Sequence, residues 1–117
     1  MLVHTKRVFE GHSESDGLRI LVDRIWPRGV SKDKECIDIG AKDIAPSTEL
    51  RKWYGHDHAK WEEFLTRYEA ELDENSEAFD AVVNEIDRDV VTLVYSSKET
   101  KYNNATALKG YIERHLT

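Results

Sequence analysis

The stretch Ile20-Leu21-Val22-Asp23-Arg24-Ile25-Trp26-Pro27-Arg28-Gly29 decides how this chain folds. Ile20 to Val22 is an unbroken apolar run. A strand with one wet face would alternate, so this run suits a strand covered on both faces. Charge then arrives abruptly at Asp23 and Arg24. Pro27 has no amide hydrogen to donate and biases Trp26 toward an extended backbone. Gly29 permits a left-handed turn. A buried strand over Leu18 to Asp23 is therefore expected to end near Arg24 and hand the chain to a charged loop.

Upstream, Leu2 to Phe9 is β-branched and aromatic enough for a strand, and Gly11 to Gly17 has the composition of a turn or loop. Downstream, Ser31 to Glu35 reads as a helical turn opened by Ser31, and Ile37 to Ala41 as a short strand. Lys42 to Pro46 is a connection. Ser47 caps a helix through Leu50 and Trp53, with Glu49 in its first turn and Gly55 at its end. Asp57 caps the next helix, whose face is Trp61, Phe64, Leu65, Tyr68 and Leu72, at helical spacing. Asp73 to Ser76 is a break. Phe79, Val82, Val83 and Ile86 mark another amphipathic helix, and Val90 to Tyr95 a strand. After the polar loop Ser96 to Tyr102, Asn103 or Asn104 caps a terminal helix with Ala107, Leu108, Tyr111, Ile112 and Leu116 facing inward.

Strands separated by helical stretches predict one α/β domain over residues 1–117. The expected form is a three-layer sandwich: a mostly parallel central sheet of about four strands, flanked by roughly four or five helices. The link between the first two strands is too brief for an ordinary helical crossover, so that pair is expected to be antiparallel or irregular. Ligands of open α/β sheets bind outside the carboxyl ends of the strands. If the strands ending at Asp23 and Tyr95 are parallel neighbours, both following loops open on one edge.

Composition narrows the class. The chain has 117 residues, enough for one core, and no apolar run approaches the roughly 20 residues of a membrane helix. The N-terminus places its charges after a very short apolar start, the reverse of a secretory leader. A cytoplasmic location is the default. The single cysteine, Cys36, supports neither an intrachain disulfide nor a cysteine cluster for zinc or iron–sulfur. The net charge of -6 weighs against wholesale nucleic-acid binding. Asp57 to Asp89 carries 12 acidic and 3 basic residues, so the rest of the chain is mildly basic. The acidic segment reads as solvated helix faces.

Arg24 and Arg28 are the leading site candidates, because the planar guanidinium grips carboxylate or phosphate in a bidentate way. Near the helix N-terminus at Asn103 or Asn104 they would form an anion site. Asn104 would orient the ligand, and Lys98, after the last strand, could contact it. The competing reading pairs one arginine with Asp23 or Asp43 to hold the loop. Asp23 is the one candidate acid or base, and it has no evident nucleophile partner. Trp26 could stack on a ring or base, although such a tryptophan is more often core with its indole hydrogen satisfied. His56-Asp57-His58 has no third ligand by spacing, and Asp57 as a cap explains it more simply, so no metal is expected. The aromatic stripe Trp53, Trp61, Phe64 and Tyr68 reads as core. No glycine-rich phosphate loop or nucleophile elbow is present, and no cofactor is expected.

The motifs Asp23-Arg24-Ile25-Trp26-Pro27-Arg28-Gly29, Lys42-Asp43-Ile44-Ala45-Pro46-Ser47, Leu50-Arg51-Lys52-Trp53-Tyr54-Gly55-His56-Asp57 and Lys60-Trp61-Glu62-Glu63-Phe64 closely resemble the YeaO-like branch of the domain-of-unknown-function 488 family. Arg67-Tyr68 and Glu71-Leu72 continue the likeness, which runs from Lys6 to the last helix. It implies a small cytoplasmic α/β domain of unassigned biochemistry. The wider family carries a cysteine-containing loop after its last strand, with a Cys-His-Arg signature. This chain has Tyr95-Ser96-Ser97-Lys98-Glu99 and Tyr102-Asn103-Asn104 there, without a cysteine. Three readings follow: a pocket for a small anionic or phosphorylated ligand, with or without catalysis; a nucleic-acid-binding module; and a protein-interaction module docking its acidic helices on a basic partner.

Overall fold

Val90–Tyr95 forms β4, the strand around which the other elements are laid. In this computed structural model, residues 1–116 are described. β1 (Leu2–Arg7) lies on one side of β4 and β2 (Leu18–Leu21) on the other, both parallel to it, and β3 (Ile39–Gly40) runs parallel to β2. The sheet order is β1-β4-β2-β3. Four helices complete the α/β fold: α1 (Thr48–Tyr54), α2 (Trp61–Glu74), α3 (Ser76–Asn84) and α4 (Asn104–Leu116).

Side-chain alternation assigns the two faces of the sheet. Val3, Leu18, Ile20, Val91, Leu93 and Tyr95 point toward the helices and join Leu50, Phe64, Tyr68, Leu72, Phe79, Leu108 and Ile112 in the main core. The intervening residues, Leu21 and Val94, meet Val8, Ile37 and Val30 in a smaller cluster on the opposite face. That third layer is thin, made of 3₁₀ turns and the turn at residues 31–36 rather than α-helices. All four residues of β2 are buried, Arg19 as well as the apolar ones, and the strand ends at Leu21 rather than running to Asp23. Fully burying an aliphatic side chain such as Ile20 or Leu21 contributes about 1.5–3 kcal/mol, which makes β2 and β4 the stable centre of the sheet.

Arg19 shares the thin-layer face. It is 0% exposed, with Nη1 2.6 Å from Asp16 Oδ2 and Nε donating to Glu35 O at 3.0 Å. Thr92, on the same face of β4, donates to Asp16 O at 2.7 Å. Burial pushes the Asp16 carboxyl up, but the Ser13 amide, Arg19 and Lys6 outweigh it and hold the group below the usual carboxylate range.

Two cap signals work as read: Ser47 Oγ accepts from Leu50 N, and Asn103 Oδ1 from Thr106 N. Asp57 Oδ1 accepts from Ala59 N, but it caps the 3₁₀ turn His58–Lys60 that leads into α2 rather than α2 itself, which has no side-chain cap. α1 ends at Gly55 in the left-handed region, with φ 53°.

Four expectations need correction. The first two strands are neither antiparallel nor neighbours, because β4 sits between them. Residues 8–17 return the chain across β4 through two 3₁₀ turns, Val8–Glu10 and Glu14–Asp16. Ten residues can span about 33 Å when extended, so a helix is not needed to make a parallel crossover. Leu116 does not face inward; it is 38% exposed, one turn beyond the last core contact at Ile112. Trp53 and Trp61 are only partly buried, at the rim of the core that Phe64 and Tyr68 fill. Trp26 is not core either: it is 43% exposed, although its indole N–H is satisfied by Val30 O at 2.7 Å.

Candidate functional site

Parallel pairing of β2 with β4 places the residues after Leu21 and after Tyr95 on one edge of the sheet. α1 ends beside that edge and α4 begins there. A cavity of about 630 Å³ lies between them, lined by residues 23–28, Pro46, Arg51, Tyr54, His56, Phe64, Ser96, Ser97 and Asn104.

Asp23 closes the back of the cavity. Its Oδ2 accepts from the Ser96 amide at 3.0 Å and the Ser96 hydroxyl at 2.5 Å. Asn104 Nδ2 donates to Val22 O at 2.9 Å and reaches Asp23 Oδ1 at 3.4 Å. The carboxylate thus ties the end of β2 to the end of β4 and the start of α4. Arg24 is also engaged: Nε donates to Pro46 O at 2.9 Å and Nη2 to Ala45 O at 3.0 Å. It holds the loop, as one sequence reading supposed, through carbonyls rather than through Asp23 or Asp43.

The Arg28 and Arg51 side chains differ. Both are exposed, both line the cavity, and neither makes a hydrogen bond or ion pair among the described residues. Asp23 is the only lining carboxylate among the described residues, and both its oxygens accept hydrogen bonds. The cleft is therefore cationic on a chain of net charge -6. Its floor is aromatic. Tyr54 and Phe64 stack with ring centroids 4.4 Å apart, and Tyr54 Oη donates to Tyr102 O at 2.8 Å. Burial, helped by the Glu99 and Asp57 charges, pushes the Tyr54 phenol up to about 12, so it stays neutral at ordinary pH.

Of the residues singled out in the sequence, Asp23, Arg24, Trp26, Arg28 and Asn104 meet in this cleft. Lys98 does not. The chain turns away after Ser97, whose Oγ accepts from Glu99 N at 3.0 Å, and Lys98 is left exposed. Arg51, His56 and Tyr54 were not anticipated. No local sequence signal marks them; the structure shows Gly55 followed by a second left-handed residue, His56, at φ 58°. A non-glycine residue there costs about 1–2 kcal/mol, and such strain concentrates at functional sites.

The histidine pair diverges. His58 Nε2 lies 2.7 Å from Glu99 Oε1, while His56 packs beside Tyr54 with ring centroids 5.9 Å apart. Among the described residues no group of three or more His, Cys, Asp or Glu converges as metal ligands. The amides of Tyr102 and Lys101, and then His58, draw the Glu99 carboxyl down to about 2. A group whose folded pKa is depressed stabilises the fold above its unfolded pKa and loses that contribution as pH falls through the folded value. Glu99→Gln is therefore expected to lower stability at pH 6. The gap to wild type should shrink as pH falls from about 4.5 toward about 2. Urea unfolding at several pH values reads this; a gap independent of pH would contradict it.

The arrangement defines a small α/β domain with an arginine-lined, aromatic-floored cleft at the carboxyl edge of a parallel sheet. No described helix is long and apolar enough to cross a membrane. The chain belongs to the inactive DUF488-N3 subclade, whose profile matches residues 2–117. It is 42% identical over 106 residues to uncharacterised proteins of Mycobacterium bovis and Mycobacterium tuberculosis, covering 91% of this chain and 89% of each relative. It is 38% identical over 112 residues to the uncharacterised protein YeaO of Escherichia coli, covering 96% of this chain and 97% of that one. No solved structure matches it significantly. The YeaO-like membership expected from Asp23 to Gly29 is thus established.

Proposed function

We propose that this protein binds a small anionic molecule in the cleft and does not transform it. The observation that carries this reading is a pair of guanidinium groups, Arg28 and Arg51, with no side-chain partner among the described residues, facing one concavity whose single described carboxylate is already hydrogen-bonded. Arginine forks in a partly enclosed cleft favour bidentate contact with phosphate or carboxylate. Arg24 keeps the loop in place, and Asn104 and Asp23 keep the strand ends together. Three things favour binding without chemistry. The Asp23 carboxylate is engaged with Ser96 and Asn104 in tying the strand ends together, the loop after β4 has no cysteine, and the family's own description is inactive.

Thermal unfolding in phosphate, against chloride at equal ionic strength, tests the proposal. Phosphate at about a hundred times its Kd stabilises a binding protein by about 2.7 kcal/mol. Wild type and Lys98→Ala should show the phosphate-specific rise, and Arg28→Ala/Arg51→Ala should lose it. Equal behaviour of all three proteins would reject the site. Tight binding of short oligonucleotides with a steep salt dependence would favour the nucleic-acid reading instead.

A further inference from the structure

The cleft has two unlike halves, and an anion alone would satisfy only one of them. The cationic half is Arg28 and Arg51. The other half is apolar: Ile25, Trp26 and Pro27 on the rim, Tyr54 and Phe64 on the floor. Ile25 is 61% exposed and Trp26 43%, two adjacent large apolar side chains left open to solvent at the mouth of a cavity. Scattered apolar residues need no explanation, but a pair lining a concavity marks a binding surface.

Trp26 is also held in position. Its indole N–H is spent on Val30 O at 2.7 Å, so it does not call for a polar ligand group. Its Cζ3 lies 3.4 Å from where a Cβ on Gly40 would stand, so the ring leans on the end of β3. A fixed aromatic side chain with solvent on its exposed part is preorganised to stack, and binding then costs little side-chain ordering. The floor supplies no competing polar group, because Tyr54 Oη is committed to Tyr102 O.

Resting on the anion-binding reading above, we infer that the ligand is a planar aromatic ring carrying an anionic group, phosphate or carboxylate. The ring lies against Trp26, and the anion meets Arg28 and Arg51. The cavity of about 630 Å³ is in the size range of small-molecule sites and much larger than an inorganic phosphate needs. Ring stacking on an aromatic side chain is expected to tighten binding about 5- to 100-fold over the same anion without a ring.

Calorimetric titration with phenyl phosphate, cyclohexyl phosphate, methyl phosphate and benzoate tests this, using wild type, Trp26→Ala and Trp26→Phe. Phenyl phosphate should bind at least about fivefold more tightly than methyl phosphate, and more tightly than cyclohexyl phosphate. Trp26→Ala should weaken phenyl phosphate far more than methyl phosphate and so remove that preference; Trp26→Phe should keep most of it. Benzoate binding that also depends on Trp26 would extend the class to carboxylates, and its absence would confine it to phosphates. If phenyl and methyl phosphate bind alike, or Trp26→Ala keeps the preference, the aromatic inference fails and the anion site stands. If none of the four ligands binds, both fail.

Discussion

Asp16→Ala is expected to destabilise the protein by about 3–5 kcal/mol, the cost of removing one partner from a buried ion pair. For a domain of this size that corresponds to a fall in Tm of roughly 10–20 °C. Arg19 is 0% exposed, and its Nη1 lies 2.6 Å from Asp16 Oδ2. Nε is held by Glu35 O, but Nη2 has no hydrogen-bond partner among the described residues, so the guanidinium has no reserve of contacts. Removing the carboxylate strands a charge in the thin layer of the sandwich. The contrast is the double variant Asp16→Ala/Arg19→Met, which removes the charge together with its counterion. Its loss should be much smaller, because apolar groups of similar volume often replace a buried pair at little cost. Because Asp16 titrates below the usual range, its contribution is present above the ordinary carboxylate pKa and is lost as pH falls through the lowered value. Urea unfolding decides the matter; a single-variant loss below about 1 kcal/mol would mean that water reaches the guanidinium.

Gly17→Ala is expected to cost about as much, by a different route. Gly17 sits at φ 65°, and a Cβ there would stand 2.2 Å from Val90 O and 2.7 Å from Val90 C. These are backbone atoms at the start of β4, in register with Leu2 of β1 and one residue before the Leu18↔Val91 pair. Relief would require moving the central strand. Its backbone, at φ 65° and ψ -135°, lies outside the left-handed helical region in territory open to little but glycine, which adds about 1–3 kcal/mol, and overpacking adds about 1–3 kcal/mol. Gly29→Ala is the control. Gly29 has φ 79° but nothing within 4 Å of the added Cβ, so only the conformational cost of about 1–2 kcal/mol applies. Similar midpoints for the two variants in a chemical unfolding series would contradict the close packing of residue 17 on β4.

The positions of the core elements were legible because each carries its own local signal. β4 runs over the same six residues that the Val90 to Tyr95 run predicts, and α1 is bounded by its Ser47 cap and Gly55 end. Pairing was harder to read. Whether β1 lies beside β2 depends on which strand is inserted between them, and residues 8–17 look the same in either case. Arg19 was opaque for a related reason. Nothing in the sequence pairs it with a counterion, and Asp16 becomes that partner only through the 3₁₀ turn that folds it back. In the site, Asp23 to Arg28 announced themselves by composition. Arg51 and His56 come from another element, and nothing local says that the end of α1 meets the end of β2. Lys98 shows the converse: a plausible cation after a strand, turned away by the Ser97 to Glu99 turn.

An NMR titration with inorganic phosphate, following the three indole signals and the loop amides, reports on the cleft residue by residue. Trp26 lines the cavity, while Trp53 and Trp61 do not. The expected result is saturable movement of the Trp26 indole and of the Arg28, Ser96 and Ser97 amides with one shared Kd, while the Trp53 and Trp61 indoles stay in place. Movement of Trp53 or Trp61 without Trp26, or no saturable shift at Arg28, Ser96 and Ser97, would place the anion elsewhere and contradict a binding site at this edge of the sheet.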